Sequence, residues 1–258
     1  VATLRLDDAA WNNRWRGRST AEKVVLSAGL VAVALTAPGP AGGVIVLVVA
    51  SLLACLWARV PVRTWSFAIA APAVFIVLGT IGIVVTFGEP VGRVVVDMGP
   101  ASVTQPSLWA GAVVALRALA SAAAVMLLAA TTPMPYLLAS LGRVWGLRTL
   151  TEIATLVYRM IFSLLESQAR IRETQTARLG YGSARTAIRS VGMLGAGTFI
   201  RAWTHSRRLG EGLAGRGYDG AWFALPSRRP VSGAFVAVAL AIVAVCAGVS
   251  LVGPRWPV

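Results

Sequence analysis

The sequence specifies an all-α polytopic membrane protein with about five transmembrane helices and long cytoplasmic helices inserted before the last span. Three observations carry this. Of 258 residues, 57% are hydrophobic and only 13% charged, whereas a soluble domain keeps roughly a quarter of its residues charged. The apolar residues lie in long uncharged runs, which a basic disordered tail would lack. The charge is lopsided, 24 Lys+Arg against 10 Asp+Glu for a net +14, and it clusters between the runs as on a basic cytoplasmic face.

Residues 1–23 form a polar arm with Arg5, Arg14, Arg16, Arg18 and Lys23. The arm shows no apolar core of signal-peptide type and reads as cytoplasmic, with Trp11 and Trp15 against the lipid headgroups. Asp7, Asp8 and Glu22 read as balancing nearby arginines. From Val24 to Ala58 no residue is charged. Pro38-Gly39-Pro40 and Gly42-Gly43 break that run, since proline removes a donor and glycine weakens a helix. Two short helices over about 21–37 and 41–57 follow, each near the lower limit for a core that takes ~20 helical residues.

Arg59 and Arg63 mark a short loop, and a third apolar run covers Thr64 to Gly88. Trp65 fits the aromatic belt at its start, and Pro72 is tolerable within lipid. Residues 88–107, with Glu89, Arg93 and Asp97, read as a solvated loop. A fourth span occupies about 108–131 and a last one 231–254. The organisation is therefore an arm (1–23), a four-span region (24–131), a helical region (132–230), and a final span with its tail (231–258).

Residues 132–230 hold 14 of the 24 basic residues. Their most apolar stretch, 150–166, contains Glu152 and Arg159, and a central arginine costs about 2.5–3.5 kcal/mol on the lenient insertion scale. With the N-terminus inside and four spans before residue 132, the inner segments carry 21 of the 24 basic residues. A crossing at 150–166 would send most arginines from Arg159 onward outside, against the positive-inside rule. The region is expected to be cytoplasmic or bound at the interface.

Within it, Ile153, Leu156, Val157, Met160, Ile161, Leu164 and Leu165 recur at spacings of three and four, so one helix runs from Thr149 to Arg178. Gly180 and Gly182 stop it. A second helix covers about 183–213, with Gly192, Gly195, Ala196 and Gly197 in its middle. Small residues so spaced permit a close helix crossing; the alternative is a loosely packed helix of low propensity. Both helices end in related segments, Ala177-Arg178-Leu179-Gly180-Tyr181 and Gly215-Arg216-Gly217-Tyr218-Asp219-Gly220. Ordinary helix capping accounts for one such end. Two, 38 residues apart, point to exposed arginine forks suited to carboxylates on another protein.

The chain offers little for catalysis. Its one lysine, Lys23, follows no glycine-rich loop, so no phosphate-binding loop exists. Cys55 and Cys246 sit far apart in apolar runs, and His205 is the one histidine; neither a metal set nor a Ser/His/Asp triad can be assembled from them. The arginines of 132–230 alternate with Leu, Trp and Met, which suits anionic lipid and acidic protein grooves rather than nucleic acid. Arg117 lies inside the fourth span and is a candidate for an intramembrane role; the alternative is that it pairs with backbone carbonyls.

Tyr158-Arg159-Met160-Ile161-Phe162, Gln175-Thr176-Ala177-Arg178-Leu179-Gly180-Tyr181, Arg216-Gly217-Tyr218-Asp219-Gly220, and Thr131-Thr132-Pro133 together resemble the T component of energy-coupling factor (ECF) transporters, closest to the cobalt-type, CbiQ-like branch. The detailed resemblance covers about 130–222. It implies a non-catalytic subunit of the cell membrane that joins a substrate-binding membrane S component to two ABC-type ATPases, with ATP and Mg on those partners and no cofactor or metal in this chain. Arg178 and Arg216, with Ala177 and Gly217, would then be the ATPase-coupling residues, and 132–230 the coupling-helix region. Leu179 departs from the glycine of the first family motif and Gly215 from the alanine of the second. Cobalt is the implied cargo, nickel or a vitamin being alternatives. An autonomous carrier or channel is the reading of a different class, and it would need paired intramembrane polar residues or an inverted repeat.

Overall fold

Punctuation in the sequence sets the helix boundaries. The structure, a computed structural model, describes residues 2–87, 94–97, 101–143, 146–218 and 229–252. Its helices are α1 (Ala2–Asn12), α2 (Thr20–Thr36), α3 (Pro40–Leu52, prolonged by a π-turn at Leu53–Trp57), α4 (Val62–Val84), α5 (Gln105–Thr131), α6 (Met134–Leu141), α7 (Arg148–Ala177), α8 (Ala184–Ala214) and α9 (Gly233–Val252). Pro40 opens α3 at a position where its missing N–H costs nothing. Thr104 and Ser107 form a reciprocal capping box that starts α5, three residues earlier than the hydropathy pattern suggests. Pro72 is accommodated inside α4.

The chain forms two compact units, Val1–Leu137 with Arg228–Val258, and Leu138–Ser227. Among the described residues of the first, four helical segments are long and apolar enough to cross a membrane: Pro40–Trp57, Val62–Val84, Gln105–Thr131 and Gly233–Leu251. Helix α2, the first of the expected spans, has 17 residues, at the lower limit of the about 17–25 that a bilayer core takes. Its inner face (Leu26, Leu30, Val33, Ala34) packs in one core with Val46 and Ala50 of α3, Ala120, Ala123, Ala124 and Leu127 of α5, and Phe235 and Ala239 of α9. Lipid tails are as apolar as leucine, so close van der Waals contact rather than water exclusion holds such helices together. The alanine face of α5 permits that contact. Gly42 and Gly43 act in the same way: a Cβ on Gly43 would lie 3.0 Å from the Leu116 backbone, and one on Gly42 2.3 Å from the Ala37 Cβ. These glycines therefore do more than break the run.

Two expectations are corrected in this unit. The segment read as a plain loop contains a three-stranded antiparallel sheet of β1 (Val85–Phe87), β2 (Val94–Asp97) and β3 (Ala101–Thr104) in the order β1-β3-β2. Val85 pairs with Val103 and Phe87 with Ala101, while a bulge interrupts the β2–β3 ladder between Val94 and Val96. Strands of three or four residues are too short to show a period of two. Glu89 and Arg93 lie outside the described residues. The second correction is Trp15, which is only 2% exposed. Its ring meets those of Trp57 and Phe235 edge-on, each at 5.4 Å. The N–H of Arg14 donates to the Ala58 carbonyl at 3.1 Å, so the arm folds back onto the end of α3 and carries Trp15 inward.

The second unit is built on the hairpin of α7 and α8. Arg201 donates to the Ser167 hydroxyl, Gly197 faces Ile171, and the Gln175 amide donates to the Ser190 carbonyl at 3.0 Å. Residue numbers rise on one helix as they fall on the other, so the pair is antiparallel.

Candidate functional site

Each signature arginine ends a helix in the same backbone motif. After Arg178, Leu179 turns left-handed at φ 57°, and the Gly180 N–H reaches back to the Gln175 carbonyl at 2.8 Å. After Arg216, Gly217 turns left-handed at φ 71°, and the Tyr218 N–H reaches the Leu213 carbonyl at 3.0 Å. Both are Schellman-type ends, with a six-to-one bond closing over the left-handed residue. Superposed on that bond, Arg178 matches Arg216 and Leu179 matches Gly217. The leucine thus occupies the backbone position that glycine occupies in the second motif. A left-handed L-residue costs roughly 1–2 kcal/mol, and Leu179 is nonetheless 78% exposed.

Arg178, Arg216, Ala177 and Gly217 are all exposed. Neither arginine forms an ion pair among the described residues, where Arg148 pairs with Glu152 and Arg207 with Glu211. The structure does not bring the arginines together. Helix α8 separates them with 31 residues, a span of about 46 Å at 1.5 Å per residue.

The first tip is locked by a polar knot. The Ser190 hydroxyl donates to the Gly180 carbonyl at 2.8 Å, and the Tyr181 hydroxyl donates to the Gln175 side chain at 2.8 Å. A Cβ on Gly180 would fall 2.7 Å from the Ser190 hydroxyl and 2.8 Å from the Gln175 carbonyl, so glycine is required there. Ser183 and Thr186 then cap α8 reciprocally.

The residues singled out for a helix crossing face elsewhere. Ser190, Gly197 and Arg201 form the stripe of α8 that meets α7. At 3.6 residues per turn, positions 192, 195 and 196 fall on the other side. Gly192, Gly195 and Ala196 are exposed, and a Cβ on Gly192 or Gly195 would meet no described atom within 4 Å. They share that side with exposed Ile188, Val191, Phe199, Ile200 and Trp203. The outcome is an apolar face with a shallow middle.

Arg117 donates to the Ala37 carbonyl at 2.5 Å, the residue that closes α2. A cation at a helix C-terminus is favoured by the macrodipole, and this is the carbonyl-pairing alternative for Arg117. His205 is exposed, and no group of three His, Cys, Asp or Glu side chains suits a metal among the described residues.

Sequence reasoning missed a buried polar joint at the start of α2. Glu22 is 1% exposed and Lys23 3%, so Glu22 does not merely balance surface arginines. A Glu22 carboxylate oxygen accepts the Ser232 N–H at 2.6 Å, at the start of α9. The Lys23 ammonium donates to the Thr131 carbonyl at 2.6 Å, at the end of α5. The Asn13 amide donates to the same carbonyl at 3.3 Å and to the Ala10 carbonyl at 2.6 Å. Anion at an N-terminus and cation at a C-terminus are the arrangement the helix dipoles favour. A signal was present: a lone lysine among 23 arginines, beside a glutamate, at the threshold of an uncharged run.

Apolar spans around an alanine-lined core, together with an exposed antiparallel helix pair bearing twin arginine tips, define a multi-pass membrane protein with a polar helical insertion. Residues 12–226 match the family described as CbiQ, cobalt transport protein, and the chain belongs to that family. It is 35% identical over 232 residues, covering 90% of this chain and 91% of the relative, to the cobalt transport protein CbiQ of Rhodobacter capsulatus. It is 27% identical over 219 residues, 83% of this chain and 97% of the relative, to the protein of the same name from Salmonella typhimurium. It is also 27% identical, over 229 residues, to the putative fused cobalt transport protein CbiMQ of Methanocorpusculum labreanum, covering 87% of this chain and 38% of that one.

Proposed function

We propose that this chain is the transmembrane energy-coupling T subunit of an ECF-type importer for cobalt ions, with its N-terminus and residues 132–230 in the cytoplasm. The carrying observation is the pair of like-built, exposed arginine tips at opposite ends of α8. Two equivalent forks about 46 Å apart suit two copies of one partner better than a single groove. An exposed guanidinium at the end of a helix is suited to bidentate pairing with a carboxylate on a partner. ABC-type ATPases are the partners this reading assigns, with ATP and Mg bound on them and no catalysis in this chain.

The apolar side of α8 supports a second partner, the substrate-binding membrane subunit. The fused cobalt transport relative, much longer than this chain, is in keeping with such an association. Cobalt as cargo follows the family description and the names of the relatives.

The experiment is purification of the assembled transporter carrying Arg178→Ala, Arg216→Ala or both. Each single variant is expected to lower ATPase retention and cobalt uptake while leaving membrane insertion intact, and the double variant to abolish both. Wild-type uptake by the double variant would refute the coupling role.

A further inference from the structure

Residues 138–227 are joined to the membrane unit by just two strands of chain, one leaving after α5 and one returning before α9. Any motion of the inserted helices that reaches the spans covalently must pass through these strands. Both are gripped at one place. The leaving strand is held by Lys23 through the Thr131 carbonyl at 2.6 Å, with Asn13 on the same atom. The returning strand is held by Glu22 through the Ser232 N–H at 2.6 Å. The strands also meet directly, the Arg229 guanidinium lying 4.3 Å from the Tyr136 ring centroid, and Tyr136 in turn packs on Trp11 at 5.8 Å.

This grip is made by charged groups removed from water. Glu22 and Lys23 are almost wholly buried, where charge-assisted hydrogen bonds are strong and an unpaired partner is costly. Two adjacent residues of one helix thus tie the end of a second helix and the start of a third to a common point. Simple packing of α2 needs neither charge; the apolar residues that follow supply it.

We propose that Glu22 and Lys23 are positioning residues for transport, forming a fixed joint that delivers movement of residues 138–227 to α5 and α9. This rests on the reading of that region as the coupling region. Without the joint, the two strands move independently of the spans, and ATP is spent with little cargo moved.

The test uses the complete transporter in proteoliposomes with radioactive cobalt(II), comparing wild type with Lys23→Met, Glu22→Gln and Lys23→Arg. Three quantities are measured: ATPase retained on purification, ATP hydrolysed, and cobalt imported per ATP. Removing the charge-assisted bond of Lys23 shifts an equilibrium by about tenfold or more, and reducing that of Glu22 to a neutral bond, roughly half as strong, shifts it by about fivefold. Lys23→Met and Glu22→Gln are therefore expected to cut cobalt per ATP by about fivefold or more with ATPase retention near wild type, and Lys23→Arg to restore it to within about twofold. An unchanged ratio in the intact complex overturns the joint alone. So does a loss of complex and uptake in strict proportion in both Lys23→Met and Glu22→Gln, which marks a purely structural role. Failure of the wild-type chain to retain any ATPase overturns the coupling reading and the joint with it.

Discussion

Leu179 and Gly217 occupy the same left-handed position in two matching helix ends, and exchanging their chemistry tests whether the backbone alone sets the cost. Replacing Leu179 with glycine removes a left-handed penalty of roughly 1–2 kcal/mol. Glycine gives part of that back, about 0.5–1 kcal/mol, through its larger freedom in the unfolded chain. The leucine side chain is 78% exposed, so its loss forfeits little burial. The net expectation for Leu179→Gly is a gain of about 0.5–1 kcal/mol. Amide hydrogen exchange in detergent reads this locally: protection of residues 175–190 should rise about two- to fivefold. Gly217→Ala should do the reverse, speeding exchange at residues 213–218 by roughly fivefold, because alanine must adopt a backbone it disfavours. Unchanged or faster exchange around residue 179 in Leu179→Gly refutes the strain argument.

Gly180→Ala, whose Cβ would lie 2.7 Å from the Ser190 hydroxyl, should break the Ser190–Gly180 bond and raise exchange of residues 175–190 by about tenfold or more, at a cost of about 2 kcal/mol. Gly43→Ala places a Cβ 3.0 Å from the Leu116 backbone, forcing α3 from α5; thermal unfolding in detergent should show a loss of about 1–3 kcal/mol. With Cys55 and Cys246 replaced, His205→Cys should react with an impermeant thiol reagent in inverted vesicles and not in sealed cells; labelling from outside would reverse the proposed topology.

Much of this architecture can be read from the residues in order. Uncharged runs and proline–glycine breaks place α3, α4, α5 and α9 to within a few residues, because a helix in lipid must satisfy its own backbone and so depends on local sequence. The same locality makes α7 and α8 legible from their apolar spacing and from the glycines at 180 and 217. Where the order of residues misled, the deciding contact lay far along the chain. Trp15 resembled an interfacial anchor until Phe235 and Trp57 closed around it. The small sheet depends on pairing between strands too short to show a pattern.

The helix pair makes the same point within one unit. Clustered small residues at 192–197 suggested a crossing, but the face turned toward α7 is the one carrying Ser190, Gly197 and Arg201. Phase about the helix axis, set by partners more than twenty residues away for Gly197 and Arg201, chose it. Glu22 and Lys23 are the clearest case. Their type and adjacency are visible in the primary structure, yet their partners, Thr131 and Ser232, are 108 and 210 residues distant. Hydropathy, capping and charge asymmetry act over one or two turns and are written into neighbouring residues; burial of a charge against the end of a remote helix exists only once the chain has folded.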